Sequence, residues 1–263
     1  MRVIDFHTHA FPDAVAASAI PALEAEADVT AVFDGTVGGL LAEMDRCGVD
    51  VSVIQPVATK PTQVRAINDW AAGLASDRIV PFGAMHPDVD DPDVEIERMA
   101  AHGLRGFKMH PEYQDFEPHE ARMEPVYEAA ISYGMVVLFH AGIDIGLPTL
   151  RGTPRSFAAM LDAWPRMKVV LAHMGGFRLW QEVADLIAGR DVYLDTCYTL
   201  GHLPDDCFLS LVREHGAHRI VFGSDGPWTA VDAELAHLRR LGLSDDELAD
   251  ILNGSATRLL GDV

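Results

Sequence analysis

Short runs of β-branched and aromatic residues recur along the chain, separated by longer stretches in which apolar residues return every three or four positions. Runs of four or five mostly apolar residues read as strands covered on both faces, and the longer stretches read as crossover helices. Eight strands are predicted, at 3–6, 51–55, 80–84, 104–108, 135–139, 169–172, 192–195 and 220–223. Helices are predicted between them at 39–47, 62–75, 93–101, 122–132, 153–163, 178–187, 205–214 and 231–238, with two short ones at 245–252 and 255–260 closing the chain. Eightfold alternation predicts a parallel α/β sheet closed on itself, a (β/α)₈ TIM barrel, over an open doubly wound sheet. The 263 residues fit one such barrel, a single domain over 1–263 without a linker or a low-complexity segment. Its longest departure from a minimal barrel is 11–36, between the first strand and its helix, long enough to form a lid or wall over the active face.

Charge and composition remove several function classes. Twenty Lys and Arg against 40 Asp and Glu give a formal charge of −20, which repels phosphate backbones and anionic membrane surfaces. Nucleic acid and membrane are therefore not expected as partners, and a small-molecule substrate is. No apolar stretch reaches the ~18 residues of a membrane span, and the N-terminus enters a strand without a signal-like apolar region, so a cytoplasmic protein is expected. A homodimer is the default for symmetric association. Cys47, Cys197 and Cys207 form neither a CxxC pair nor an even framework and read as reduced, mostly buried thiols. No GxxxxGK[ST], GxGxxG or GxSxG occurs, which leaves nucleotide cofactors and a serine nucleophile without support.

Functional groups of such barrels stand at the C-terminal ends of strands. The first predicted strand ends in His7-Thr8-His9, the third in His86, the fourth in Lys108-Met109-His110, the fifth in His140, the sixth in His173 and the eighth in Asp225. Side chains alternate along a strand, so His7 and His9 share a side, into the barrel, and suit one ion. An isolated HxH fits two ordinary polar residues equally well; the convergence of His140, His173 and Asp225 on the same mouth is what favours a borderline divalent metal. His102, His119, His202, His215, His218 and His237 fall in helices and loops and read as solvated residues without function.

These segments resemble a known family. Asp5-Phe6-His7-Thr8-His9, Val137-Leu138-Phe139-His140, Leu171-Ala172-His173-Met174-Gly175-Gly176 and Phe222-Gly223-Ser224-Asp225-Gly226-Pro227 are similar to the amidohydrolase superfamily. Within it they resemble the amidohydrolase-2 branch, which contains aminocarboxymuconate-semialdehyde decarboxylase, and the closing segment 251–261 is similar to that branch's usual ending. The resemblance implies one divalent ion, Zn²⁺ with Mn²⁺ as alternative, held by His7, His9, His140 and Asp225, with His173 beside the water or substrate. Three imidazoles and a carboxylate leave a coordination position open, and a bound Zn²⁺ lowers the pKa of water toward ~7. Asp225 is then expected to act as general base and His173 as a donor to a developing oxyanion.

Lys108 departs from a simple mononuclear pattern. In binuclear members of the superfamily a carboxylated lysine bridges two metals, and Phe107-Lys108-Met109-His110-Pro111 is somewhat similar to that segment. The branch resembled most closely is usually mononuclear, so Lys108 is read as a substrate-binding cation, with His110 sharing the role. His86, Tyr113, Asp144, Arg151 and Trp228 fall in loops after strands three, four, five and eight, where substrate walls are built. Of these, His86, Arg151 and Trp228 join the substrate-binding set.

The expected activity is hydrolysis of a C–N or C–O bond in a small carboxylated or cyclic substrate. The alternative is non-oxidative decarboxylation of an aromatic or enoic acid at the same site. Lys108, His110 and a chain shorter than the usual decarboxylases of the branch favour hydrolysis. A silent metal-binding scaffold is disfavoured because structural zinc usually closes its shell with cysteines. A phosphoesterase barrel also begins with HxH but generally carries a further acidic ligand where this chain has Lys108.

Overall fold

The computed structural model describes residues 1–261, in which nine parallel strands are arranged in chain order. β1 (Ile4–Thr8), β2 (Val51–Ile54) and β3 (Ile79–Pro81) pair as one group. β4 (Gly83–Ala84), β5 (Gly106–Met109), β6 (Val136–Phe139), β7 (Lys168–Leu171), β8 (Tyr193–Asp195) and β9 (Ile220–Val221) pair as the other. β3 and β4 are the halves of the third predicted strand, interrupted at Phe82, whose N–H still bonds Ile54 O at 3.0 Å. Pro81 has no N–H to continue the ladder, which accounts for the interruption. The outer edges meet where Phe6 N donates to Phe222 O (2.7 Å) and Asp225 N to His7 O (2.8 Å). The fold is the TIM barrel expected from the alternation.

Apolar side chains fill the barrel and its shell separately. Inside, Ile4, Phe6, Val53, Leu138, Val170 and Val221 are buried together with Ala256, Leu259 and Leu260, so the helix Ser255–Leu260 packs onto the barrel interior. Between strands and helices, Phe107, Met109, Phe139 and Leu171 belong to the larger outer cluster. Alternation along β5 therefore turns Phe107 and Met109 outward and leaves Lys108 on the inner side.

The same alternation applied to β1 sends Ile4 and Phe6 inward and would turn His7 outward. A register shift prevents this: Asp5 pairs with Ser52 and Thr8 with Ile54, three residues of β1 against two of β2. Such a bulge re-aims the residues beyond it, and His7 and His9 consequently face the barrel mouth. Two further side chains are aimed by left-handed backbone: His173 at φ 58° and Asp225 at φ 69°. Non-glycine residues adopt that region rarely, and where they do it often serves a site.

The segment 11–36 forms mainly the helix α1 (Asp13–Ala27), which ends at Asp28 in the left-handed region, φ 53°. α2 (Val37–Cys47) follows, capped where Thr36 accepts from Gly39 N. α3 (Val64–Ala72) is entered through a 3₁₀ turn at Pro61–Gln63. The C-terminal 245–252 region is a short helix, Asp245–Ala249, opened by a Ser244/Glu247 capping box and running into a π turn, Asp250–Gly254. His215 corrects the expectation of a solvated residue: it is buried, with Nε2 2.8 Å from Val192 O and Nδ1 accepting from Gly189 N. Of the three cysteines only Cys197 is buried; Cys47 is half-buried and Cys207 exposed. Among the described residues no helix is long and apolar enough to cross a membrane.

Candidate metal centre

The site lies where β1, β5, β6, β7, β8 and the segment after β9 end. His7, within the bulge, is held from behind by Asp195 at the end of β8, Nδ1 to Oδ2 2.7 Å. Asp195 is itself fixed through Oδ1, which accepts from His173 N (2.9 Å) and Cys197 N (3.1 Å). His9 is held by the Gln55 carbonyl, 2.9 Å from Nδ1. A carbonyl only accepts and an ionised carboxylate only accepts, so both rings carry hydrogen on Nδ1 and, when neutral, present a lone pair at Nε2. Both lone pairs point at one carboxylate oxygen: Asp225 Oδ1 lies 3.1 Å from His9 Nε2 and 3.4 Å from His7 Nε2.

Electrostatics keeps this group in ligand form. Burial, reinforced by Lys108, lowers the His7 pKa to about 4, leaving a neutral imidazole. Burial alone would raise Asp225, but the His9 hydrogen bond and the charges of His7, His9 and His173 outweigh it and hold the carboxyl well below the usual range. Two imidazole nitrogens and a carboxylate oxygen thus converge, and with the proton shared by His9 Nε2 and Asp225 Oδ1 released they form the donor set of a divalent cation. His7, His9 and Asp225 are close enough to share one ion.

A second cluster adjoins it. His140 and His110 stack with ring centroids 4.1 Å apart and 14° between planes. His110 Nε2 lies 3.3 Å from Asp144 Oδ2, and His140 Nε2 4.0 Å from the same oxygen. His173 Nδ1 donates to Cys197 O at 3.0 Å, so in the neutral ring its Nε2 accepts, 3.1 Å from His140 Nδ1. Following that proton order leaves His140 Nε2 as an acceptor, and it is buried without a hydrogen-bond partner. Burial, with His110 and His173 beside it, pushes His140 well below the ordinary histidine range.

Lys108 is fully buried with Nζ 3.1 Å from His7 Nε2. Burial lowers its pKa against the raising effects of Cys197, Asp195 and Asp225. Lys108, His110 and Trp228 line the cavity in front of the site, which measures about 740 Å³. His86 and Arg151 do not line it. His86 Nδ1 accepts from Asp88 N within its own turn, and Arg151 pairs with Asp115. Tyr113 and Asp144 do line it, and Tyr113 O–H donates to Glu26 of α1 at 3.2 Å.

Two participants escaped the sequence reading. Asp195 ends the seventh predicted strand as Asp225 follows the eighth, and that position was the available signal. Cys197, two residues on, places Sγ 3.1 Å from His7 Nδ1 and 3.2 Å from His173 Nδ1. Nothing in its sequence surroundings marks it.

A parallel barrel with a histidine–carboxylate centre at its mouth defines the metal-dependent class to which the family comparison points. The amidohydrolase-2 family model matches residues 4–261, and the chain belongs to that family. No curated protein matches the sequence. Among solved structures, 5-carboxyvanillate decarboxylase from Sphingomonas paucimobilis is 19% identical, with TM-score 0.77 over 100% of this chain and 99% of that one. A dihydroxybenzoic acid decarboxylase from Polaromonas with bound manganese is 17% identical, TM-score 0.73, over 98% and 96%. A candidate 2-pyrone-4,6-dicarboxylic acid hydrolase from Pseudomonas putida is 19% identical, TM-score 0.70, over 99% and 97%.

Proposed function

We propose that the protein is a metal-dependent hydrolase of a small substrate bearing an anionic group, with one divalent cation held by His7, His9 and Asp225 and by His140 as fourth donor. The observation that carries this reading is the convergence of His7 Nε2, His9 Nε2 and Asp225 Oδ1, each an acceptor with its other side fixed or buried. The orphaned Nε2 of buried His140 supports the fourth donor. All four donors are nitrogen or oxygen, which suits Zn²⁺ and also Mn²⁺, the ion bound in the Polaromonas decarboxylase. A cation held there supplies Lewis acidity, polarising an oxygen brought against it and lowering the pKa of water toward ~7.

The chain's own groups do the rest. Asp225, kept ionised with Oδ1 toward the histidines, accepts a proton at Oδ2 as general base. His173, with Nδ1 committed to Cys197 O and Nε2 accepting from His140 Nδ1, fixes the tautomer that leaves His140 Nε2 free to ligate, and donates to a developing oxyanion only by giving up the His140 contact and taking a proton. Lys108 is the one lysine or arginine among the cavity-lining residues described, so it orients the anionic group of the substrate.

Decarboxylation is the second reading. It is favoured by the mostly apolar walls of the cavity, which strip water from a carboxylate, and by the decarboxylases among the structural neighbours. Turnover in ¹⁸O-labelled water of any good substrate from a screen of lactones, amides and aromatic acids separates the two. Hydrolysis places the label in the product; stoichiometric CO₂ with an unlabelled organic product would replace the hydrolase reading.

A further inference from the structure

We infer that the substrate carries, opposite its anionic group, an uncharged apolar arm at least as large as a second benzene ring, seated between α1 and α3. The inference rests on the proposed function, because the arm is read from where the cavity leads away from the metal centre. Among the described residues, Lys108, Asp144 and Asp225 are the only lysine, arginine or carboxylate side chains lining the cavity; the two aspartates belong to the centre and its neighbouring cluster, and Lys108 Nζ lies 3.1 Å from His7 Nε2. Beyond them the walls include one stripe of α1, Val15, Ala19, Ala22 and Leu23, and Ala66 and Trp70 of α3, with the uncharged polar side chains of Thr59, Thr62 and Gln63 at the entry to α3. Spacings of four, three and one residues put the α1 positions on one helical face.

Size supports an extended ligand. A cavity of roughly 150 Å³ is enough for benzene, and this one measures about 740 Å³. A single carboxylated ring at the metal end would leave most of it vacant. The alanines at 19, 22 and 66 keep that space open. Val15 and Ile145 also line it and are 45% and 39% exposed, large apolar side chains left uncovered inside a cavity. Large apolar side chains left uncovered along a cavity are a mark of a binding surface. Its continuity with the metal centre makes the occupant part of the substrate.

Benzoate, 4-butylbenzoate and 4-hexylbenzoate serve as probes, their Kd measured calorimetrically on Mn²⁺-loaded protein. Affinity should rise about fourfold for each methylene buried, so about 16-fold from butyl to hexyl, with an increasingly negative heat-capacity change. Ala19→Phe and Ala66→Phe, both at positions open to the cavity, should draw the three affinities together. Equal affinities in the unsubstituted protein, or increments that survive both substitutions in folded variants, would overturn the proposal. Repeating the series on His7→Ala/His9→Ala separates it from the metal reading. An increment that persists while benzoate binding ignores both metal and substitution sinks the metal assignment alone. Sedimentation covers the other occupant: a dimer dispersed by Ala19→Phe, with a flat probe series, would give this face to a second copy and refute the inference.

Discussion

Asp195→Asn tests how the candidate centre is organised. In the wild type the Asp195 carboxylate divides its oxygens, Oδ2 holding His7 Nδ1 at 2.7 Å and Oδ1 accepting from His173 N and Cys197 N. An asparagine keeps one acceptor, and the two backbone donors retain it because their alternative is two unsatisfied buried N–H groups. Its amide NH₂ then faces His7 Nδ1. Two donors cannot share that contact, so the imidazole moves its hydrogen to Nε2, the atom 3.4 Å from Asp225 Oδ1. One of three converging lone pairs is lost while the volume and the backbone contacts are preserved. Replacing a group that orients a ligating histidine typically costs ~10–100-fold in metal affinity, and the expected loss lies in the upper half of that range because the tautomer itself is reversed. Competition against a fluorescent chelator measures it, with a thermal melt of the metal-free protein as the control for folding. A metal Kd within twofold of wild type, in a folded variant, would refute the tautomer argument.

Three further outcomes follow from the same geometry. His7→Ala/His9→Ala should lose its metal altogether, read as ions per chain after gel filtration, since two of the three converging donors are gone. Asp225→Asn should lower turnover of any identified substrate by ~10²–10⁴-fold without unfolding the protein, because an amide ligates weakly but accepts no proton. Glu234, whose Oε2 is buried without a partner, has its pKa raised to about 8 by burial, with Asp225 and Asp5 adding to the effect. The folded state therefore binds this proton more tightly than the unfolded state, and stability declines as pH rises from about 4.5, the unfolded value, toward 8. Glu234→Gln should remove that decline, gaining melting temperature over wild type at pH 8 and little at pH 5; an equal gain at both would contradict the assignment.

The barrel is legible in the sequence because its strands are buried on both faces and its helices alternate with them. The placement of His7 and His9 is legible only in part. Alternation along β1 puts them on one face, read as the barrel interior, but with Ile4 and Phe6 inward strict alternation would turn that face outward; the bulge between Asp5 and Thr8, which leaves no mark in residue type, is what aims them at the mouth. α1 is read as part of a lid or wall, without a helix, because its alanines spread apolar character around the helix and blur the period; Pro21 within it adds to the disguise. His86 and Arg151 stand in loops of the expected kind, yet each finds a nearer partner, the Asp88 amide and the Asp115 carboxylate, and turns away from the cavity. Asp195 stays unread because an aspartate that supports a ligand from behind looks, in one dimension, like any strand-terminal acid.

The central claim is that His7, His9 and Asp225, with His140 adjoining, hold one divalent ion. Its most direct test is a crystal of the protein grown with Mn²⁺ and measured for anomalous scattering. The expected result is one strong peak at coordination distance, about 2.0–2.3 Å, from His7 Nε2, His9 Nε2 and an Asp225 oxygen. A map with its only peak between His110, His140 and Asp144, or with none at the barrel mouth at saturating Mn²⁺, would contradict it.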